Sequence, residues 1–495
     1  MLLTTPNTTI IPRYALMMIS FSLLLIIIDG LSTTTTTTTN PQPIPIDAKG
    51  WPDKFPAKEH CSKCGLCETT YVTHVKDACP FIGEGMKRNI DGMEKTIHGR
   101  RRNINDIVWG DDNSSNDGLA DEARFGVMKS PMMLARGKGI VGAQWTGVTT
   151  GIAVSMLESK MVDAVVCIAS KDEQDSDGWS SPKPILARTV EQVMRGRGVK
   201  PALTPSLKVL DELKESTDIK RLLFCGVGCA VQAFRAVQDE LDLDEVYVLG
   251  TNCADNSPTP KDASEFIRQG VPEMTNKKIK GYEFMSDFKV HVKFEGANGD
   301  IDYEKKPYFC LPGDVAEFAI AQSCLSCFDY TNSLADVVVG YMGAPFDNEM
   351  DKSYQTITIR NSRGEKMIQS ALNAGRLNLE SQAKGKGKHE SFAMATVSSD
   401  NLVQKMVGGK IKTQGMPRIL GNIMATIMTN IGPTGVSFAR YSIDYHLLRN
   451  YLHCLDFYGE ETVNKILPEY STAIVRHYCD ENDEFRKLVE SIKSK

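Results

Sequence analysis

Cys61, Cys64 and Cys67 are separated by two residues each, and Cys79 follows with Pro80 directly after it. Two-residue gaps let consecutive thiolates converge from one tightly wound loop onto a face of an iron–sulfur cube, and a proline after the last cysteine matches bacterial ferredoxin loops. Eleven residues separate Cys67 from Cys79, more than in those loops, so spacing alone leaves open whether Cys79 or Cys225 completes a cluster. Zinc competes for the same ligands, although zinc sites more often join two separated C-x-x-C pairs. A second set is dispersed: Cys229, Cys253 and the Cys324-x-x-Cys327 clip. These chemistries are electron transfer by clusters, or structural metal binding. Cys167 reads as core, and Cys310, Cys454 and Cys479 have no partner pattern.

The second set depends on elements that bring its cysteines together. Asp163 to Ala169, Arg221 to Cys225, Glu245 to Gly250 and Ala335 to Gly343 are short continuous apolar runs, as expected of buried parallel strands. The turn GVGC and a helix up to about Leu241 lie between the second and third, which makes a βαβ unit. Cys229 and Cys253 then fall at the carboxyl edge of neighbouring strands, where α/β proteins build their sites. GIVGAQWTG, from Gly139, is a glycine-punctuated turn entering a helix over 149–159. Residues 280–311 alternate apolar and polar and predict an antiparallel sheet. Residues 84–135 read as a polar wrapping segment, 382–391 as a flexible basic loop, and the chain after Gln414 as helical. The expected fold is α/β: a mixed sheet with βαβ units, an amino-terminal cysteine-rich iron–sulfur module and a helical carboxyl-terminal region. The expected divisions are 1–49, 50–135, 136–275, 276–413 and 414–495.

The 495 residues suffice for two or three domains, and 41% hydrophobic with 24% charged residues is a globular balance. A net charge of −5 gives no basic field to recruit nucleic acid. Thirteen cysteines, an odd number in a long chain, do not suit a disulfide scaffold. Near the start, Arg13 precedes an apolar run from Tyr14 to Ile28, followed by Thr33 to Thr39 and a proline-rich stretch. That run suits a signal-type core, and the threonine tract a linker. Together they predict an ER-type signal plus transit leader into a plastid; a single membrane anchor is the competing reading.

GAQWTG with VDAVVC, PKPILART, GVKPALTPSL, LLFCGVGCAVQAFR, YVLGTNCADN and SCLSCFDYTNSLADVVVGYMG, in this order, resemble the family of the deazaflavin-reducing hydrogenase beta subunit. The similarity is strongest to its photosynthetic branch and runs from about Pro56 to about Tyr470. It implies an FAD flavoprotein with two 4Fe–4S clusters. By motif, Cys61, Cys64, Cys67 and Cys79 match one cluster module, and Cys229, Cys253, Cys324 and Cys327 the other. Gln144, Trp145 and Thr146 match the flavin-domain opening. Ala230 departs from the family pattern, which has Gln after the cysteine matching Cys229.

The implied donor is reduced ferredoxin and the implied substrate a chlorophyll-type tetrapyrrole. Reduction of a 7-hydroxymethyl group is the expected activity, with reduction of an 8-vinyl group, or an electron-transfer subunit role, as alternatives. Asp329 and Tyr330, just past the Cys327 clip, are the candidate general acids, with His74 and His98 beside them. The apolar run Ile419 to Ile431 would line the substrate cleft, touch the thylakoid surface, or pack in the core or against another subunit of a homo-oligomer.

Overall fold

The strands of the central sheet come from segments spread over most of the folded chain. The computed structural model describes residues 60–109, 121–170, 182–346 and 349–495, all within one unit spanning Pro45–Lys495. The expected leader and linker lie outside the described residues. Thirteen strands are present among them. They are β1 (Met133–Gly137), β2 (Ala164–Ser170), β3 (Pro182–Ala187), β4 (Arg221–Gly226), β5 (Glu245–Thr251), β6 (Lys278–Phe284), β7 (Lys289–Glu295), β8 (Ile301–Pro307), β9 (Val337–Gly340), β10 (Gln355–Ile359), β11 (Leu377–Gln382), β12 (Gly385–Lys386) and β13 (Thr434–Gly435).

Eight of these form one mixed sheet in the order β11-β1-β10-β9-β5-β4-β2-β3. Its central strands β2, β4, β5 and β9 are parallel, and antiparallel strands close it on both sides. The parallel block is apolar because both of its faces are covered. Leu222, Phe224, Val248 and Val338 face a core shared with helix Gly228–Val237 and with Leu66, Val75 and Ile82 of the cysteine-rich module. Leu223, Tyr247, Leu249 and Val337 face the opposite core, with helices Val148–Glu158 and Ser362–Asn373. The first cysteine module is thereby fastened directly to one sheet face. Strands β6, β7 and β8 form a separate antiparallel sheet, as their alternation predicts.

The helices that bear on the site and its surroundings are α1 (Gly85–His98), α2 (Val148–Glu158), α3 (Gly228–Val237), α4 (Arg418–Ile431) and α5 (Val436–Tyr458). Two segments differ from their sequence reading. Residues 84–135 do not simply wrap the surface. Met86, Ile90 and Ile97 of α1 are buried, and charges from this segment are buried as ion pairs, Arg102 with Glu94 and Arg124 with Asp121 and Asp444. The charges conceal the helical period because they are buried through partners outside the helix itself, Arg102 for Glu94 in the following stretch and Asp444 for Arg124 farther along the chain. The basic stretch 382–391 is not a free loop either: Gly385 and Lys386 pair with Gly435 and Thr434.

Candidate functional site

At the carboxyl edge of the parallel block, β4, β5 and β9 end on a cavity of about 810 Å³, within the range of cofactor and ligand sites. Cys229 and Cys253 stand on its wall, with Cys64 of the first module. Cys229 sits in the first turn of α3, and Cys253 lies two residues beyond β5. The βαβ geometry read from the sequence therefore places both cysteines where it predicted.

The two cysteine sets are each close-knit. Burial pushes the Cys64 thiol up to about 11 and the Cys67 thiol up to about 12, and neighbouring thiols of the set add to the effect. Cys79 is raised too, first by burial and then by Cys64, Cys61 and Cys67, so it keeps company with this set. In the second set burial raises Cys229, Cys253 and Cys327, and brings Cys324 up to about 12; each of the first three also feels other thiols of the set. Cys229 feels Cys64 as well, so the two sets adjoin. Cys225, by contrast, is raised by burial and then by Cys167, on the sheet face of Leu223 and Leu249. Thiols held protonated in this way give up their protons when a cationic centre binds.

Among the described residues no three His, Cys, Asp or Glu side chains close tightly enough to hold a single metal ion. A four-iron cube is held by four Cys thiolates, the number each set contains. The surroundings suit such a group. The Lys63 amide donates to Cys61 Sγ (3.3 Å) and the Asn256 amide to Cys324 Sγ (3.3 Å). Asn256 Nδ2 donates to Cys253 Sγ (3.2 Å), and the Asp329 amide to Cys327 Sγ (3.5 Å). Hydrogen bonds to sulfur of this kind tune cluster potentials. Behind the clip, Asn450 Nδ2 donates to the carbonyl oxygens of Cys324 (2.8 Å) and Cys327 (2.7 Å) and fixes the loop.

Gln144 and Trp145 line the cavity, and the first turn of α2 reaches it through Val148, Thr149 and Thr150. Trp145 holds a left-handed backbone (φ 56°) and stacks on Tyr341, ring centroids 4.6 Å apart. An aromatic stack beside a helix amino terminus suits a flat ring system carrying phosphates. Thr146 does not line the cavity. Its hydroxyl accepts from the Gly137 amide (2.9 Å) and ties the turn to β1.

The acid candidates separate. Asp329 lies off the cavity wall, where Gln232 Nε2 donates to one oxygen (2.7 Å) and the amide and hydroxyl of Ser333 donate to the other (2.7 and 2.8 Å). Tyr330 does line the cavity, its hydroxyl 2.9 Å from Ser442 Oγ, and burial pushes its phenol up. Neither His74 nor His98 reaches the wall. His98 is held by Ser333 and Asn361, and burial lowers it to about 4.

The sequence reading missed Glu283, on β6, which faces the same cavity. Gln144 Nε2 donates to its Oε1 (2.9 Å) and the Tyr341 hydroxyl to its Oε2 (3.2 Å). Both donors are neutral. Burial pushes the carboxyl up to about 7 against these hydrogen bonds and one from Trp145. The other acids on the wall are engaged. Asp255 is half-buried, but Arg449 (3.0 and 2.8 Å) and His446 outweigh its desolvation and hold it well below the usual range. Asp400 caps the helix Asn401–Met406 and accepts from Tyr445. Alternation along β6 put Glu283 on a polar strand face; only the packing of that sheet against the 140–147 turn turns it inward.

Among known proteins, two family models for the Coenzyme F420 hydrogenase/dehydrogenase beta subunit match this chain, the amino-terminal one over residues 132–211 and the carboxyl-terminal one over residues 219–384. The chain is 44% identical over 426 residues to the chloroplastic 7-hydroxymethyl chlorophyll a reductase of Oryza sativa subsp. japonica, covering 86% of this chain and 83% of that one. It is 37% identical over 423 residues to an uncharacterized protein of Nostoc sp., covering 86% and 94%. A chain of the F420-reducing NiFe hydrogenase complex from Methanosarcina barkeri is 22% identical, with a TM-score of 0.42 and coverage of 50% and 81%.

Proposed function

The chain belongs to the coenzyme F420 hydrogenase/dehydrogenase beta-subunit family, and from that membership we propose that it is a ferredoxin-dependent reductase converting 7-hydroxymethyl chlorophyll a to chlorophyll a in a plastid. The observation that carries this reading is the likeness to the rice reductase, which covers 86% of this chain and 83% of that one. The net reaction takes two electrons and two protons; a C–O bond breaks, a C–H bond forms, and the hydroxyl leaves as water.

FAD and two 4Fe–4S clusters, when bound, would accept single electrons from ferredoxin and supply them in pairs. Cys61, Cys64, Cys67 and Cys79 would hold one cluster, and Cys229, Cys253, Cys324 and Cys327 the other. Gln144, Trp145 and the first turn of α2 would hold the flavin. Asn256 and Asn450 keep the second cysteine set in place through the bonds described above. Phe309, Phe438, Tyr441 and Tyr445 give the cavity an aromatic lining that suits a large flat macrocycle.

Glu283 is the proton donor in this reading. A carboxyl near 7 is still partly protonated at neutral pH, and it lies on the wall beside Trp145 with no cation to hold it ionised. It protonates the departing hydroxyl oxygen. The test is turnover of the full chain with reduced ferredoxin on 7-hydroxymethyl chlorophyll a and, in parallel, a divinyl chlorophyllide. Conversion of the first pigment supports the assignment. Conversion of the second alone overturns it.

A further inference from the structure

Helix α4 packs in the reverse sense of an ordinary surface helix. Its buried residues are Gly421 and Ala425, four apart and therefore on one face. That face lies on β8 and the turn Tyr308–Cys310. A side chain at 421 would collide with Cys310 Sγ, so only glycine allows so close an approach. The large residues point the other way: Ile419 is 76% exposed, Ile423 51%, Ile431 48% and Leu420 44%. Ile419, Ile423, Ile427 and Ile431 recur every four residues and form one ridge about 18 Å long, exposed at Ile419, Ile423 and Ile431 and half-buried at Ile427. The helix contains no acidic residue, and its Arg418 pairs with Glu304 and Glu273 of the body.

Lysines flank the ridge at both ends. Exposed Lys410 and Lys412 precede the helix. At the other end β13 follows the helix and pairs with β12, so that exposed Lys386 of β12 and the flanking exposed Lys384 and Lys388 stand at that end; Gly387 lies against Pro433. We propose that this face docks on a bilayer surface bearing anionic headgroups, with the isoleucines in the interface and the lysines over the headgroups. A second copy laid antiparallel on the ridge would set lysines against lysines, whereas an anionic surface neutralises both ends. No helix among the described residues is long and apolar enough to cross a membrane, so α4 would lie in the plane of the interface. The turn beneath α4 contributes Tyr308 and Phe309 to the cavity wall, so docking would place the cavity next to lipid.

The test is co-sedimentation of the full chain with phosphatidylcholine vesicles, with and without phosphatidylglycerol, alongside its molar mass in solution. The chain should bind the anionic vesicles and release from them as salt rises. Ile419→Gln with Ile423→Gln should weaken binding about tenfold, the effect of uncovering part of two apolar side chains, at unchanged melting temperature and molar mass. Lys384→Glu with Lys386→Glu should weaken it on anionic vesicles only. Absence of binding, or binding that both double variants leave intact, overturns the proposal. So does an oligomer that the isoleucine variant dissociates, since the ridge is then a self-interface. The vesicle measurement needs no pigment or electron donor, so its failure is separate from failure of the reductase reading.

Discussion

Replacing Glu283 by Gln keeps its shape and leaves its neutral neighbours Gln144, Tyr341 and Trp145 in place but removes the titrating proton. Burial raises this carboxyl from the ordinary 4.5 to about 7, so near pH 7 about half the molecules hold the proton on the cavity wall. Above that, the protonated fraction falls tenfold per pH unit. Wild-type turnover should fall along the same limb, and E283Q should be slower by roughly 10²-fold, within the range for a lost general acid, with the limb abolished. Stability gives an independent readout. Between the unfolded and folded values the unfolded chain is ionised while the folded chain is still protonated, so this group's contribution falls as pH rises from 4.5 to about 7, then stays level. At 1.36 kcal/mol per pH unit the difference is at most about 3 kcal/mol, and the part of Glu283 facing the cavity reduces it. E283Q should therefore gain melting temperature relative to wild type at pH 8 and not at pH 4. The assays are steady-state pigment reduction across pH and thermal unfolding at the two pH values, with iron and flavin content as controls. Turnover within threefold of wild type, or a retained alkaline limb, would refute the assignment.

Other substitutions probe the cysteine sets and their support. Cys64→Ser and Cys324→Ser should each remove about four irons per chain, one cube's worth, whereas Cys225→Ser should retain all of them; iron assays and electron paramagnetic resonance decide this. Asn450→Ala removes two donors from the Cys324 and Cys327 carbonyls, so unfolding should come earlier by about 2 kcal/mol and the second set should lose iron first on exposure to chelator. Arg449→Met leaves Asp255 without its bidentate partner and should cost about 3–5 kcal/mol at neutral pH. That cost should shrink in acid, because the partnered carboxyl contributes stability above its ordinary titration range and loses it as pH falls.

The parallel block was legible because strands buried on both faces must be continuously apolar, as β2, β4, β5 and β9 are. The cysteine spacings and the alternation of β6 to β8 were equally local signals. Helix α1 escaped because Lys87, Arg88, Asp91, Glu94 and Lys95 mask the period of Met86, Ile90 and Ile97, and the partner that buries Glu94 is Arg102, in the following segment. Thr146 stood in the right turn, but its hydroxyl is spent on the Gly137 amide. Glu283 had no local signal at all. Its position depends on the packing of the β6–β8 sheet against the 140–147 turn, where Gly281 lies so close to Gln144 that a side chain there would collide with the amide.

The most direct test of the central claim is a single-turnover experiment on the anaerobically reconstituted full chain. Iron and flavin are assayed, the cofactors are reduced with ferredoxin, and 7-hydroxymethyl chlorophyll a is added while both cofactor and pigment absorbance are followed. The account predicts about eight irons and one flavin per chain, the content of two cubes and one FAD, and chlorophyll a appearing as the cofactors reoxidise. A colourless or zinc-only protein, or a loaded protein that leaves the pigment unchanged, would contradict it.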